Sequence, residues 1–297
     1  MSDALAPITG RLGLAPKPPW RPYLMGIVNA TPDSFSDEPG EKTVADRLAL
    51  AQQLVADGAD LIDVGGESGI TNRPPVDAAE EIARVVPVIE AITAAGIPVS
   101  IDTYKPAVAD AALAAGACMV NDVSGLRDPE LATVVAKHNA AMVLMHTRAA
   151  PKTKIFPDYD DVTADVCEFL RDAVAEATAR GVQRDLIVLD PGPDFSKTPA
   201  QTVTTLRELD QLAALGHPLL LAISRKDFVG ALTGRGPRDR AAGTLAALEY
   251  AAAQDAAFVR LHDVAAATDF LTVRAALSGD LEIDPELSLE EGLRRTA

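Results

Sequence analysis

Residues 99–122 read VSIDTYKPAVADAALAAGACMVND, and this stretch sets the pattern for the whole chain. An apolar run, Val99–Ile101, stops at Asp102 and Thr103. Ala107–Ala115 then repeats apolar positions at helical spacing and ends at Gly116, and a second apolar run, Cys118–Val120, stops at Asn121 and Asp122. A continuous apolar run this short suits a strand buried on both faces, as parallel strands are. A glycine just past the helix supplies the left-handed residue that commonly ends one. The stretch therefore reads as strand, helix, strand.

The same unit recurs on both sides. Further strands are expected at Tyr23–Val28, Leu61–Val64, Ala141–Met145, Leu186–Leu189, Leu219–Ile223 and Phe258–Arg260. Helical patterns lie at Thr43–Asp57, Ala78–Ala95, Pro129–His138, Asp161–Arg180, Thr202–Leu215, Arg240–Gln254 and Ala265–Leu277, several ending at glycine. Eight alternations predict an α/β chain folded as a single (β/α)₈ TIM barrel with parallel strands over residues 21–278. An open doubly wound sheet would carry a glycine-rich phosphate loop after its first strand, where this chain has Asn29-Ala-Thr-Pro-Asp33. Residues 1–20 read as a flexible lead-in, with Trp20 closing the barrel bottom, and 279–297 as a tail that is a short helix or a disordered end.

Composition narrows the function classes. The 297 residues carry a formal net charge of −16, which argues against nucleic acid as a partner. No apolar run is long enough to cross a membrane. The two cysteines, Cys118 and Cys167, lack metal or redox spacing and read as buried thiols, consistent with a reducing cytoplasm.

The chemistry lies at the strand ends. After the successive strands come Asn29, Thr31, Asp33, Ser34 and Asp37; Gly65, Gly66, Glu67 and Ser68; Asp102 and Thr103; Asn121, Asp122 and Ser124; His146 and Arg148; Asp190; Ser224, Arg225 and Lys226; and Arg260 and His262. One polar residue at a strand end is ordinarily a cap or turn former. All eight ends of a barrel point to one face, however, and that face carries the active site. Asp102, Asn121, Asp190 and Lys226 suit a fused heterocycle with donors and acceptors, because a carboxylate fits an amidine-like edge. Arg260, His262 and Arg73 suit an anionic half. Other polar residues read as structural: Asp122 as a cap, Glu67 as a loop anchor, Arg225 as an ion-pair residue, and His138 and His217 as surface or turn residues.

These segments, in this order, resemble the dihydropteroate synthase family. The resemblance is carried by Met25-Gly-Ile-Val-Asn-Ala-Thr-Pro-Asp-Ser-Phe-Ser-Asp37, Asp63-Val-Gly-Gly-Glu-Ser68, Ser100-Ile-Asp-Thr-Tyr104, Asn121-Asp-Val-Ser-Gly125, Met145-His146, Asp190-Pro-Gly192, Ser224-Arg-Lys226, Gly243-Thr-Leu245 and Arg260-Leu-His262. It implies a transferase of folate biosynthesis, the target of sulfonamides, that joins a hydroxymethyl-dihydropterin diphosphate to p-aminobenzoate. It further implies that Asn29 ligates Mg²⁺. Asp102, Asn121, Asp190 and Lys226 would hold the pterin with Met145 packed on it, and Arg260 and His262 the diphosphate. Ser224 and Lys226 would flank the aminobenzoate. Asp102, Lys226 and Arg260 are the implied catalytic residues, and a homodimer is expected by analogy.

Three loops depart from the family pattern. Glu67-Ser-Gly-Ile-Thr-Asn-Arg-Pro74 is longer than the usual Glu-Ser-Thr-Arg-Pro, with Thr71 and Arg73 as candidates for the roles of that loop. Gly192-Pro-Asp-Phe-Ser-Lys-Thr198 replaces Gly-Ile-Gly-Phe-Gly-Lys-Thr, keeping Phe195 and Lys197. Thr147-Arg-Ala-Ala-Pro151 replaces a usual Met-Arg-Gly. Two alternatives follow: a non-catalytic or altered-specificity pterin-binding paralogue, and a pterin-dependent methyltransferase. Asn29, Arg260 and His262 argue against the second.

Overall fold

The structure is a computed structural model and describes residues 2–31, 43–68, 74–289 and 291–294. Eight parallel strands run β1 (Tyr23–Asn29), β2 (Leu61–Gly65), β3 (Val99–Asp102), β4 (Met119–Asp122), β5 (Ala141–Met145), β6 (Ile187–Asp190), β7 (Leu220–Leu221) and β8 (Phe258–Leu261). They are ordered β6-β5-β4-β3-β2-β1-β8-β7. A parallel bridge from Leu189 to Leu219 joins the two ends and closes the barrel. Every predicted strand is present, with the bounds of β5 as expected and the others displaced by at most two residues, except that β7 keeps only two of its five residues in regular pairing.

Helices surround the sheet: α2 (Val44–Ala56), α3 (Ala78–Ala94), α4 (Pro106–Ala114), α5 (Glu130–Lys137), α6 (Val162–Ala179), α7 (Pro199–Arg207), α8 (Leu209–Ala213), α9 (Asp227–Thr233), α10 (Ala241–Ala253) and α11 (Val264–Ser278). Their starts are capped from the sequence. Thr43 and Asp46 form a capping box on α2, Thr198 and Gln201 another on α7, and Asp77, Asp161 and Asp263 accept first-turn N–H bonds on α3, α6 and α11. The helix predicted over 202–215 divides into α7 and α8 at Glu208. The seven-residue α9 was not expected, because it is too short to show periodicity.

The lead-in is corrected. Residues Ser2–Leu12 form a helix, α1, despite Pro7 within it. Ile8 and Leu12 are buried against Tyr23, Met25, Leu61, Met119 and Phe258, so α1 stops the bottom of the barrel. Arg11 secures it by donating to the Asn139 and His138 carbonyls. The tail carries a short 3₁₀ turn at Glu291–Leu293. His217 is also corrected: it is buried rather than on the surface, with Nδ1 facing the Ile187 carbonyl.

Two cores result. The larger lies between sheet and helices, and the smaller fills the lower barrel interior. Alternate residues of the strands belong to the interior: Tyr23 and Met25 on β1, Leu61 on β2, Met119 on β4, Val143 on β5, Val188 on β6, Leu220 on β7 and Phe258 on β8. That alternation decides which side chains reach the site above them.

Candidate active site

Counting on by twos from the apolar interior reaches the polar top. The inward series continues to Asn29 on β1, Asp63 on β2, Asp102 on β3, Asn121 on β4, Met145 on β5, Asp190 on β6 and Arg260 on β8, with Ser224 and His262 just beyond β7 and β8. Strand register lines several of them up. Asn29 pairs with Gly65, Gly65 with Asp102, and Asp102 with Asn121, forming one row across four strands.

One side of this mouth is a charged cluster spanning the barrel. Arg260 donates through Nε to Asp63 at 2.6 Å and through Nη2 to Asp102 at 2.9 Å. Asn121 Nδ2 donates to Asp63 at 3.2 Å. Burial raises the Asp102 carboxyl to about 7, against the pull of Arg260 and with Asp63 adding to the rise. The structure therefore unites Asp102, Asn121 and Arg260, but through a residue the sequence reading passed over. Asp63 is 0% exposed and sits mid-strand in Leu61–Gly65, where it reads as part of an apolar run. The period-2 alternation from Leu61 was the signal that marks it.

The other side is built by β6 and β7. Asp190 is buried, and burial raises its carboxyl to about 6 while the Gly192 N–H, Lys226, Lys197 and Arg260 oppose the rise. The Gly192 N–H bond to Asp190 Oδ1 is 2.7 Å long. Only glycine fits there: φ is +64°, and a Cβ would stand 2.1 Å from the His146 carbonyl oxygen. Met145 and Asp190 are register partners on β5 and β6. Burial lowers the Lys226 ammonium, and Asp194 and Asp190 hold it up. Its Nζ lies 4.5 Å from the centre of the Phe195 ring.

Ser224 and His262 pair with each other. The Ser224 hydroxyl accepts the His262 backbone N–H at 3.2 Å and meets Nδ1 at 2.9 Å. Thr71 and Arg73 lie outside the described residues, as do Asp33, Ser34 and Asp37.

Behind the mouth runs a buried chain whose members His146, Arg148 and Lys197 the sequence shows but does not join. Lys197, 1% exposed, donates to His146 Nδ1 at 2.6 Å and to the Gly192 and Phe195 carbonyls, both at 3.2 Å. His146 Nε2 meets Asp165 at 3.0 Å, and Arg148 pairs with the same carboxylate. Burial lowers Lys197 to about 7 and His146 to about 3, so His146 is a neutral hydrogen-bond relay and not a cation. The lysine ties both ends of the 192–197 loop, which places Phe195. Asp122 caps the Ser124 and Leu126 N–H groups, and Glu67 binds Lys105, Tyr104 and the Val76 N–H, so both serve loop structure.

The profile of a family described as pterin binding enzyme matches residues 25–262. A dihydropteroate synthase of Bacillus subtilis (strain 168) is 42% identical over 243 residues, 81% of this chain and 83% of its own. The structure of the Xanthomonas albilineans dihydropteroate synthase with 4-aminobenzoic acid superposes with a TM-score of 0.81 at 45% identity, covering 87% of this chain and 93% of that one. The same enzyme in complex with 7,8-dihydropteroate gives 0.78 at 45% identity, over 87% and 94%.

Proposed function

The chain belongs to the dihydropteroate synthase family, and from that premise we propose that it condenses 6-hydroxymethyl-7,8-dihydropterin diphosphate with p-aminobenzoate, releasing 7,8-dihydropteroate and diphosphate. The observation that carries the reading is the ring of inward polar groups on β3, β4, β6 and β8, with Asp102, Asn121, Asp190 and Arg260 at one barrel mouth.

The residues divide the work. Asp102 and Asp190 present carboxylates to the N–H edges of the pterin, Asn121 supplies an amide, and Met145 packs on the ring. Loss of diphosphate leaves positive charge on the pterin methylene, which the ring delocalises. Asp63, Asp102 and Asp190 stabilise that charge because they are fixed beforehand in a water-poor mouth. Arg260 and His262 face the departing diphosphate. Arg260 already spends Nε and Nη2 on carboxylates, so its remaining edge meets the anion. Lys226 and Ser224 flank the aminobenzoate, with Phe195 against Lys226. An aromatic amine is unprotonated at neutral pH and needs no strong general base.

Asn29 is the residue that would hold Mg²⁺. It ends β1 beside Gly65, in the row with Asp102, and would contribute an amide oxygen. That donor set suits Mg²⁺, which keeps most of its ligands from water and substrate phosphate. When bound it supplies charge neutralisation for the diphosphate.

The enzyme acts in the cytoplasm as a homodimer on this reading. Its support is family analogy together with Val273 and Leu277, which expose apolar surface on α11, and Tyr250 on α10; no helix among the described residues is long and apolar enough to cross a membrane.

The test is diphosphate release by purified protein with Mg²⁺ and dihydropterin diphosphate, with and without p-aminobenzoate. Release that depends on p-aminobenzoate, with dihydropteroate in step, is expected. Tight pterin binding without product would replace the synthase by a pterin-binding paralogue. Asp190→Asn is expected to weaken pterin binding strongly by calorimetry, and unchanged affinity would remove Asp190 from the site.

A further inference from the structure

The 192–198 loop departs from the family pattern at Asp194 and Ser196, where glycine usually stands. Both keep a glycine-like backbone, with φ of +66° and +52°. A side chain tolerated in that conformation must return something for the strain. Asp194 returns a link to another loop. Its Oδ2 accepts the Asp227 N–H at 2.5 Å, and both its oxygens stand 3.3 Å from the Phe228 nitrogen. Thr202 holds the carboxylate from behind, donating to Oδ1 at 3.2 Å and accepting the Asp194 N–H at 3.0 Å. The first-turn N–H groups of α9 are thus capped from a distant loop, while Lys226, the residue preceding the helix, makes no side-chain cap. The flanking residues meet as well: Phe195, next to Asp194, faces Lys226, next to Asp227.

We propose that Asp194 is a positioning residue for the second-substrate side of the mouth: it fastens the β6–α7 loop to the first turn of α9 and so sets Phe195 against Lys226. The proposal rests on the reading above that Lys226 and Phe195 border the aminobenzoate. Asp194 does not touch the substrate; it acts through its two neighbours. The strand-six loop, which looks in the sequence like an eroded glycine motif, is instead a fixed wall.

Two variants of the full chain test this. Asp194→Gly removes the link while suiting the positive φ, so it is expected to fold. Asp194→Asn keeps an acceptor oxygen and loses the charge. The glycine variant is expected to raise KM for p-aminobenzoate, measured with dihydropterin diphosphate saturating, about tenfold, and the asparagine variant about threefold or less, while kcat and the pterin KM, measured with p-aminobenzoate saturating, change less than about twofold. An unchanged KM, or a loss shared equally by both substrates, would overturn the proposal. A second readout needs no turnover. The Lys226 ε-methylene protons, assigned by comparison with Lys226→Arg, carry the ring-current shift of Phe195 in NMR spectra of the free protein. That shift is expected to collapse in Asp194→Gly, and one that stays put overturns the proposal whatever the kinetics. A wild-type chain that forms no dihydropteroate would refute the synthase reading alone, and the NMR comparison would still decide the role of Asp194.

Discussion

Arg260 on β8 and Asp63 on β2 meet at 2.6 Å inside the barrel, with β1 lying between their strands. The contact can form only across the interior, so it fixes the height at which the apolar filling gives way to the polar mouth. Asp63→Asn keeps the volume and removes the charge. Arg260 retains Asp102 in that variant, so the expected loss is about 1–3 kcal/mol in chemical denaturation, below that for stranding a fully buried charge. Because Asp63 helps to raise the Asp102 carboxyl, the variant should also lower it. Carboxyl NMR titration checks the direction.

Asp102 makes stability depend on pH with a definite sign. Its folded value of about 7 lies above the ordinary carboxylate value, so the folded chain keeps a proton that the unfolded chain releases near pH 4. That stabilisation is fully present below about pH 4 and is lost as pH rises through 7. Asp102→Asn cannot titrate there. The unfolding free energy of the wild type relative to Asp102→Asn, from urea denaturation, should therefore fall between about pH 4 and 7 and level off above, a change of about 2–4 kcal/mol. A flat difference would show that Asp102 is ionised throughout.

Ser196 offers a test in which alanine is worse than glycine. Its hydroxyl accepts the Ala149 N–H at 2.9 Å and the Arg148 N–H at 3.1 Å, and lies 3.1 Å from Thr147 Oγ1. Either substitution loses these bonds, but at φ +52° alanine keeps the strain and glycine relieves it. Ser196→Ala should cost about 2–3 kcal/mol and Ser196→Gly about 1 kcal/mol, measured by urea unfolding.

The bottom of the barrel is expected to be equally sensitive. Ile8 is 0% exposed in α1 and packs into the interior cluster. Ile8→Ala should cost about 2–5 kcal/mol, as for other large-to-small core changes. An effect below about 0.5 kcal/mol would mean that α1 does not seal the barrel in solution.

The strands were legible because each is a short, mainly apolar run followed by chemistry, and Asp102, Asn121, Asp190 and Arg260 were legible because they stand at those ends. Asp63 was hidden by standing two residues earlier, within a run that otherwise reads as strand filling. Lys197 was legible as a retained residue of its loop, but not its burial, because only the three-dimensional path of residues 192–197 encloses it. Helix α1 was missed because Pro7 and Gly10 are local breakers, overridden here by burial of Ile8 and Leu12. Loops could be seen to depart from the family, but not what the departures join.

Closure of the barrel gives one of those joints a mechanical meaning. Staves β6 and β7 are held by the Leu189–Leu219 bridge and by the Leu189 N–H bond to the Pro218 carbonyl at 2.9 Å, and β7 itself is two residues long. A cylinder splits first along its least-stitched joint, and this one passes directly beneath Asp190 and Lys226. The carboxylate of Asp194, reaching from the β6 side to α9 on the β7 side, is a clasp across that joint. The hoop and the pocket rim are thus fastened across the same joint, so breathing of the barrel there and loosening of the rim should be one motion.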